Sequence, residues 1–254
     1  MNLGEALLPI LPCAKGVVAF VGAGGKSTAL YRFARERSEA QGPVLITTTT
    51  HLADPRLEPV PPIAELVFHP DLEGAGAPAT LPGPRPGVTI LLSRPVEPGK
   101  VKGIHPDWIP PLKAAWDLIL VEADGSRRLP VKAPAPFEPV LPPGTDLVAG
   151  VIGLDCLGRG MDGATVHRPE CFHAVTGCPP GAPIGWEHLA ALVRHPQGLF
   201  KGATGLRAVL LNKADAAAFL PSPAQMAGLD ADLVLLCSLE AANGVIVCHR
   251  GDRQ

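Results

Sequence analysis

The chain has 254 residues, 46% of them hydrophobic and 18% charged, and Lys+Arg against Asp+Glu gives 22 − 24 = −2. This composition can bury a large core, which excludes intrinsic disorder, and the lack of a basic surplus argues against nucleic acid or an anionic membrane as partner. The 28 glycines and 30 prolines fall between apolar runs rather than in tracts. They predict long, stiff loops on a single packed domain over 1–254.

The first predicted strand is 17–21 (VVAFV). It runs into GAGGKST and then a helix over 26–40, with Leu30, Phe33 and Ala34 on one face and Arg32, Arg35 and Glu36 away from it. A second strand is 43–50 (PVLITTTT). Apolar runs at 65–69, 88–92, 116–122, 146–153, 206–212 and 231–237 read as further strands. A helix over 186–194 places Trp186, Leu189, Leu192 and Val193 on one face. The strand runs are continuous rather than alternating, as in strands covered on both faces. The expected fold is α/β: a mostly parallel sheet flanked by helices, three layers in all, like that of P-loop NTPases. Segment 130–143 carries six prolines in fourteen residues. Proline cannot continue a helix or donate to a central ladder, so this is an extended loop, and its place after a strand end suits a substrate-facing role.

Cysteines 13, 156, 171, 178, 237 and 248 form no C-x-x-C pair and read as free or buried thiols. No apolar stretch approaches the roughly 18 residues of a membrane span, and no Lys or Arg precedes the short apolar run of the first residues. The expected location is cytoplasmic.

The strongest chemical signal is the strand–GAGGKST–helix. A glycine-rich turn lets successive backbone N–H groups point at phosphate oxygens where a helix dipole favours negative charge. Gly22, Ala23, Gly24, Gly25 and Thr28 would line the cradle, Lys26 would reach the β- and γ-phosphates, and the Ser27 hydroxyl would ligate Mg²⁺. The spacing G-x-x-G-K-S is compact, because Phe20 stands where the longer motif has glycine. The short form resembles the nucleotide loops of Mur-type ligases.

WDLILVEADGSR carries a strand into Glu122 and Asp124. A carboxylate at a strand's carboxyl end can hold Mg²⁺ or orient an attacking water, and either residue qualifies. Thr49 falls at the carboxyl end of the second strand, where a hydroxyl can sense the γ-phosphate through the metal. LRAVLLNKAD ends a later strand in N-K-x-D, at Asn212, Lys213 and Asp215. This resembles the guanine-specificity motif, in which the Asp accepts from guanine N1–H and N2–H₂. Ser238 after the next strand resembles the segment that completes such a pocket. GTP is therefore favoured over ATP.

The order GAGGKST, ITTTTH, VEADGS, LPVKAPAPFEPVLP, GVIGLD, VHRPE and LNKAD resembles the YqeC family, whose members are described as accessory proteins of selenium-dependent molybdenum hydroxylases. The resemblance implies a role in maturing such an enzyme or its cofactor. It marks Lys26, Ser27, Glu122, Asp124, Lys132, Glu138, His167, Arg168, Asn212 and Asp215. Lys132, Glu138, His167 and Arg168 are the candidate substrate or partner contacts. Ser126-Arg127-Arg128 and Phe137 depart from the family pattern, and the extra cation reads as surface variation. Two other readings stay open: an ATP-dependent enzyme that activates a small molecule, and a chaperone gated by nucleotide without hydrolysis.

Overall fold

The computed structural model describes residues 1–12, 15–58, 60, 62–76, 80–241 and 244–251; Cys13 lies outside them. A nine-stranded sheet forms the centre. In chain order its strands are β1 (Gly16–Gly22), β2 (Val44–Thr48), β3 (Glu65–Phe68), β4 (Val88–Leu92), β5 (Leu118–Glu122), β6 (Leu147–Gly153), β7 (Leu206–Asn212), β8 (Leu233–Cys237) and β9 (Val245–Arg250). Across the sheet they lie β9-β8-β7-β6-β1-β5-β2-β4-β3. Every neighbouring pair is parallel except β8 with β9. The helices are α1 (Leu3–Leu7), α2 (Lys26–Gln41), α3 (Ile109–Lys113), α4 (Pro169–Thr176), α5 (Trp186–Arg194) and α6 (Pro223–Ala227).

All of β1 is buried, and its side chains alternate between two faces. Val18 and Phe20 pack with Leu3 and Leu7 of α1 and Leu30 and Phe33 of α2. Ala19 and Val21 pack with Phe172 of α4 and Leu189 and Leu192 of α5. Val17 joins Ile109 and Leu112 of α3. The continuous apolar runs are thus those of a mostly parallel sheet flanked by helices.

β1 lies between β5 and β6. From β1 the chain builds β2, β3 and β4 to one side, returns through β5, and then builds β6 to β9 on the other. The carboxyl end of β1 is therefore a topological switch point, where open α/β sheets leave a crevice.

The structure corrects several expectations. Arg32 does not face away from the core: it is buried and donates to the Leu239 and Ala241 carbonyls. Helical periodicity could not foresee those acceptors, which arrive from the turn after β8. The threonine run does not continue as one strand. β2 ends at Thr48, and His51–Ala53 joins a separate small sheet with Arg94–Glu97 and Lys100–Lys102. Within the proline-rich segment, Val131–Lys132 pairs in parallel with Val166–His167; the remainder is irregular, as expected. The edge strand β9 and the helix α4 were not foreseen. The five described cysteines are free, and no helix among the described residues is long and apolar enough to cross a membrane.

Candidate functional site at the carboxyl end of β1

The turn from β1 to α2 needs its glycines. Gly24 sits at φ +82, and a Cβ there would lie 2.1 Å from the Gly153 nitrogen of β6. At Gly25, φ is +118 and a Cβ would meet the Asn212 Nδ2 at 2.4 Å. Left-handed backbone and close approach together leave no room for a side chain. Three of the expected cradle donors are already committed. Gly22 N–H donates to Asp124 Oδ2 at 3.0 Å, Ala23 N–H to the Val151 carbonyl at 2.9 Å, and Gly24 N–H to the Leu129 carbonyl at 3.0 Å. Residues 22–24 therefore shape the turn. Among the described residues, the N–H groups of Gly25, Lys26, Ser27 and Thr28 have no partner, as the first turn of a helix requires. α2 has no side-chain cap, so its positive end is open to an anion.

Beneath the turn lies a buried group of charges. Lys26 Nζ donates to the Gly22 carbonyl at 2.7 Å and lies 3.2 Å from Asp124 Oδ1. The second contact is an ion pair without hydrogen-bond alignment, since Asp124 Oδ1 accepts no hydrogen bond. Asp124 Oδ2 also pairs with Lys132 Nζ at 3.1 Å. Lys132, expected in a loop, is fully buried and donates to the Gly125 carbonyl at 2.7 Å and to Glu138 Oε2 at 2.6 Å. Arg168 Nη1 reaches the same Glu138 oxygen at 2.5 Å. Lys26, Asp124, Lys132, Glu138 and Arg168 thus form one unbroken chain of opposite charges.

Ser27 Oγ donates to Glu122 Oε2 at 2.8 Å. Burial pushes the Glu122 carboxyl above its ordinary range, although the Lys26 charge and the Ser27 hydroxyl oppose the shift. Two hard oxygen donors at a helix start suit Mg²⁺, which takes one or two protein oxygens and fills its shell with phosphate and water. No group of three His, Cys, Asp or Glu side chains among the described residues could hold a metal alone. Thr49 is near but occupied: its hydroxyl donates to the Val140 carbonyl at 2.7 Å, tying the end of β2 to the proline-rich segment. Thr48 holds the Glu122 carbonyl instead, at 2.7 Å.

The ends of β7 and β8 reach the same rim. Asn212 is buried, donating to the Gly24 carbonyl at 2.9 Å and accepting from Leu239 N–H at 3.0 Å. It fastens the glycine-rich turn to the turn after β8. Ser238 Oγ accepts from Asp215 N–H at 3.2 Å, so these two expected residues meet, and the Asp215 side chain is exposed. Lys213 pairs with Asp155 at 2.8 Å. Asp155 was not singled out among the candidate residues, although it closes the GVIGLD segment just after β6.

Glu138 is driven up by burial, but hydrogen bonds and charge from Lys132 and Arg168 outweigh this and hold it below the ordinary range. His167 is lowered from 6.5 to about 4, by burial first and then by the Arg168 and Lys132 charges, so its imidazole is neutral at physiological pH. The non-glycine residues with positive φ among the described residues are Arg127, Arg128, Arg168 and Lys213, and every one is a cation at this end of the sheet. Such backbone costs about 1–3 kcal/mol per residue and concentrates at functional sites.

The family described as "YqeC protein" matches residues 18–170. The uncharacterized protein YqeC of Escherichia coli (strain K12) is 40% identical over 191 residues, which span 73% of this chain and 70% of that relative. No solved structure matches the chain. The family match takes in the glycine-rich turn, the buried charges and Arg168; Asn212, Asp215 and Ser238 lie beyond it.

Proposed function

The chain belongs to the YqeC family, and from that premise we propose that it is a P-loop NTPase that binds a Mg²⁺–nucleoside triphosphate, GTP in preference to ATP. It hydrolyses the nucleotide slowly, as an accessory step in maturing selenium-dependent molybdenum hydroxylases. One observation carries the nucleotide reading: four unpartnered N–H groups at the start of α2 lie beside a buried lysine and a Ser–Glu oxygen pair. A triphosphate would accept from those N–H groups and compete with Asp124 for Lys26. Ser27 and Glu122 would hold the metal, which supplies charge neutralisation on the phosphates when bound. Glu122 or Asp124 would order the attacking water.

The preference for GTP rests on Asp215 and Ser238 meeting at the rim, where Asn212 fastens the glycine-rich turn to the turn after β8. Adenine lacks the two donors that a free Asp215 carboxylate accepts. A second reading, nucleotide-dependent activation of a small substrate, draws support from the Lys132–Glu138–Arg168 cluster, and it requires that turnover depend on a second small molecule.

Calorimetry with GTP, ATP and their diphosphates, with and without Mg²⁺, tests the proposal. Tight Mg²⁺-dependent triphosphate binding is expected, and absence of binding to any of them overturns it. Asp215→Asn replaces an acceptor oxygen by a donor amide. It should lower GTP affinity and raise relative XTP affinity by about 1–3 kcal/mol each. If the wild-type protein prefers ATP, the small-molecule-activating reading takes first place.

A further inference from the structure

The cations around the site differ in whether anything neutralises them. Lys26 and Lys132 are buried against Asp124 and Glu138. Arg128 pairs with Glu58 and Lys213 with Asp155. Lys201 Nζ is held by the Ala135 and Pro136 carbonyls. Arg127 stands apart: it is exposed and makes no hydrogen bond or ion pair among the described residues. Arg168 is only partly used. One of its nitrogens bonds Glu138, its guanidinium lies 5.5 Å from the centre of the Phe137 ring, and a quarter of its side chain faces solvent.

Arg168 follows His167 in the chain, and Arg127 lies two residues beyond Gly125, whose carbonyl accepts from the Lys132 ammonium opposite His167. Arg168, Lys132 and Arg127 act on that ring as cations and Glu138 as a carboxylate, and of these cations Lys132 is itself neutralised by Asp124 and Glu138. The backbone makes the arrangement specific. Arg127 and Arg168 both lie in the left-handed region, at φ 49 and φ 63, where an arginine is strained and a glycine is not. The strand pair 131–132 with 166–167 sets His167 opposite Lys132. The same connection borders the glycine-rich turn, because the Leu129 carbonyl accepts from Gly24 N–H and the Pro130 carbonyl from Gly153 N–H.

We propose that Arg127, Arg168 and His167 form a second anion subsite beside the nucleotide turn, one that takes the oxyanion group, phosphate or carboxylate, of a substrate other than the nucleotide. Arg168 presents its remaining N–H donors beside the Phe137 ring. Arg127 adds an unneutralised charge, and the neutral imidazole donates an N–H. Lys132 is excluded as a direct contact, since its ammonium is enclosed and fully paired. The subsite deepens the proposed function by giving a second substrate class, and it rests on that reading only for what the neighbouring turn binds.

The test is calorimetric titration of inorganic phosphate and, separately, of acetate into the Lys26→Ala protein, whose nucleotide turn has lost its cation. One-site binding of either probe is expected. Phosphate alone would identify a phosphoryl substrate, and acetate alone a carboxylate. Adding Arg127→Ala should weaken the binding about tenfold or more, the loss expected for one charge-assisted contact, with the melting temperature unchanged because Arg127 holds no internal partner. Binding of neither probe, or equal affinity with and without Arg127→Ala, overturns the proposal. Nucleotide binding to the wild-type protein is read separately: its absence would sink the nucleotide reading and leave the subsite standing if a probe still binds.

Discussion

Two aspartates hold opposite ends of β1 by the same contact. Asp146 accepts from Val17 N–H at 2.7 Å at the strand's start, and Asp124 accepts from Gly22 N–H at 3.0 Å at its end. Each also pairs with lysine. Asp146 and Lys113 are partly open to water, with side chains 23% and 38% exposed, whereas Asp124, Lys26 and Lys132 are 2%, 2% and 0% exposed. A cavity of about 470 Å³ opens at the amino end, beside Asp146, and its carboxylates have ordinary structural work; Asp232, for one, receives the Arg207 N–H. That hollow and the chemistry are at opposite ends, while a second cavity of about 330 Å³, lined by Pro134, Pro136 and Lys201, borders the proline-rich segment. A buried charge pair is weak evidence for stability, because desolvation offsets its attraction. Three charges buried around one turn distinguish that end from the amino end, where the paired charges are partly solvated.

The largest expected effect breaks this comparison directly. Asp124→Ala leaves two enclosed ammonium groups without their shared carboxylate and should destabilise the fold by about 3–5 kcal/mol. Asp146→Ala removes a partly solvated carboxylate and should cost about 1–2 kcal/mol. Urea unfolding of the two variants measures the difference; equal losses would mean that burial at the carboxyl end carries no special weight.

Glu122→Gln sharpens it. With its pKa raised by burial, the Glu122 carboxyl contributes stability at low pH that is lost as pH rises through its folded pKa. A neutral amide avoids that loss, so at neutral pH the melting temperature should hold or rise. Mg²⁺-dependent turnover should fall by about 10²-fold. Wild-type turnover in Glu122→Gln would pass the water-ordering role to Asp124.

The smallest effect concerns His167. Its folded pKa is about 4 against 6.5 for the free side chain. Between those values the unfolded chain binds the proton and the folded chain does not, so stability is full above about pH 6.5 and declines as pH falls toward 4. His167→Asn should flatten that decline, by less than about 1 kcal/mol because solvent screens a half-exposed ring. Melting curves at several pH values check it, and an unchanged slope would remove His167 from the charge balance.

The scaffold was largely legible because continuous apolar runs such as 146–153 and 206–212 read as strands covered on both faces. The convergence of Lys26, Ser27, Glu122 and Asp124 was legible because strand ends of a parallel sheet lie side by side. The partners of Arg32 and Thr49 were not, since Leu239, Ala241 and Val140 arrive from distant segments. Lys132 looked like a loop cation, because only the pairing of 131–132 with 166–167 encloses it. Arg127 looked like surface variation, because nothing local shows that it lacks a counter-charge among the described residues or adopts φ 49.

The central claim is that Lys26 and the start of α2 receive a triphosphate. Calorimetric titration of Mg²⁺–GTP and Mg²⁺–ATP into the wild-type and Lys26→Ala proteins measures it most directly. One charge-assisted contact is worth roughly 1.5–3 kcal/mol, so affinity should fall by about 10- to 150-fold in the variant. Equal affinity in the two proteins, or no binding of either nucleotide by the wild type, would contradict the account.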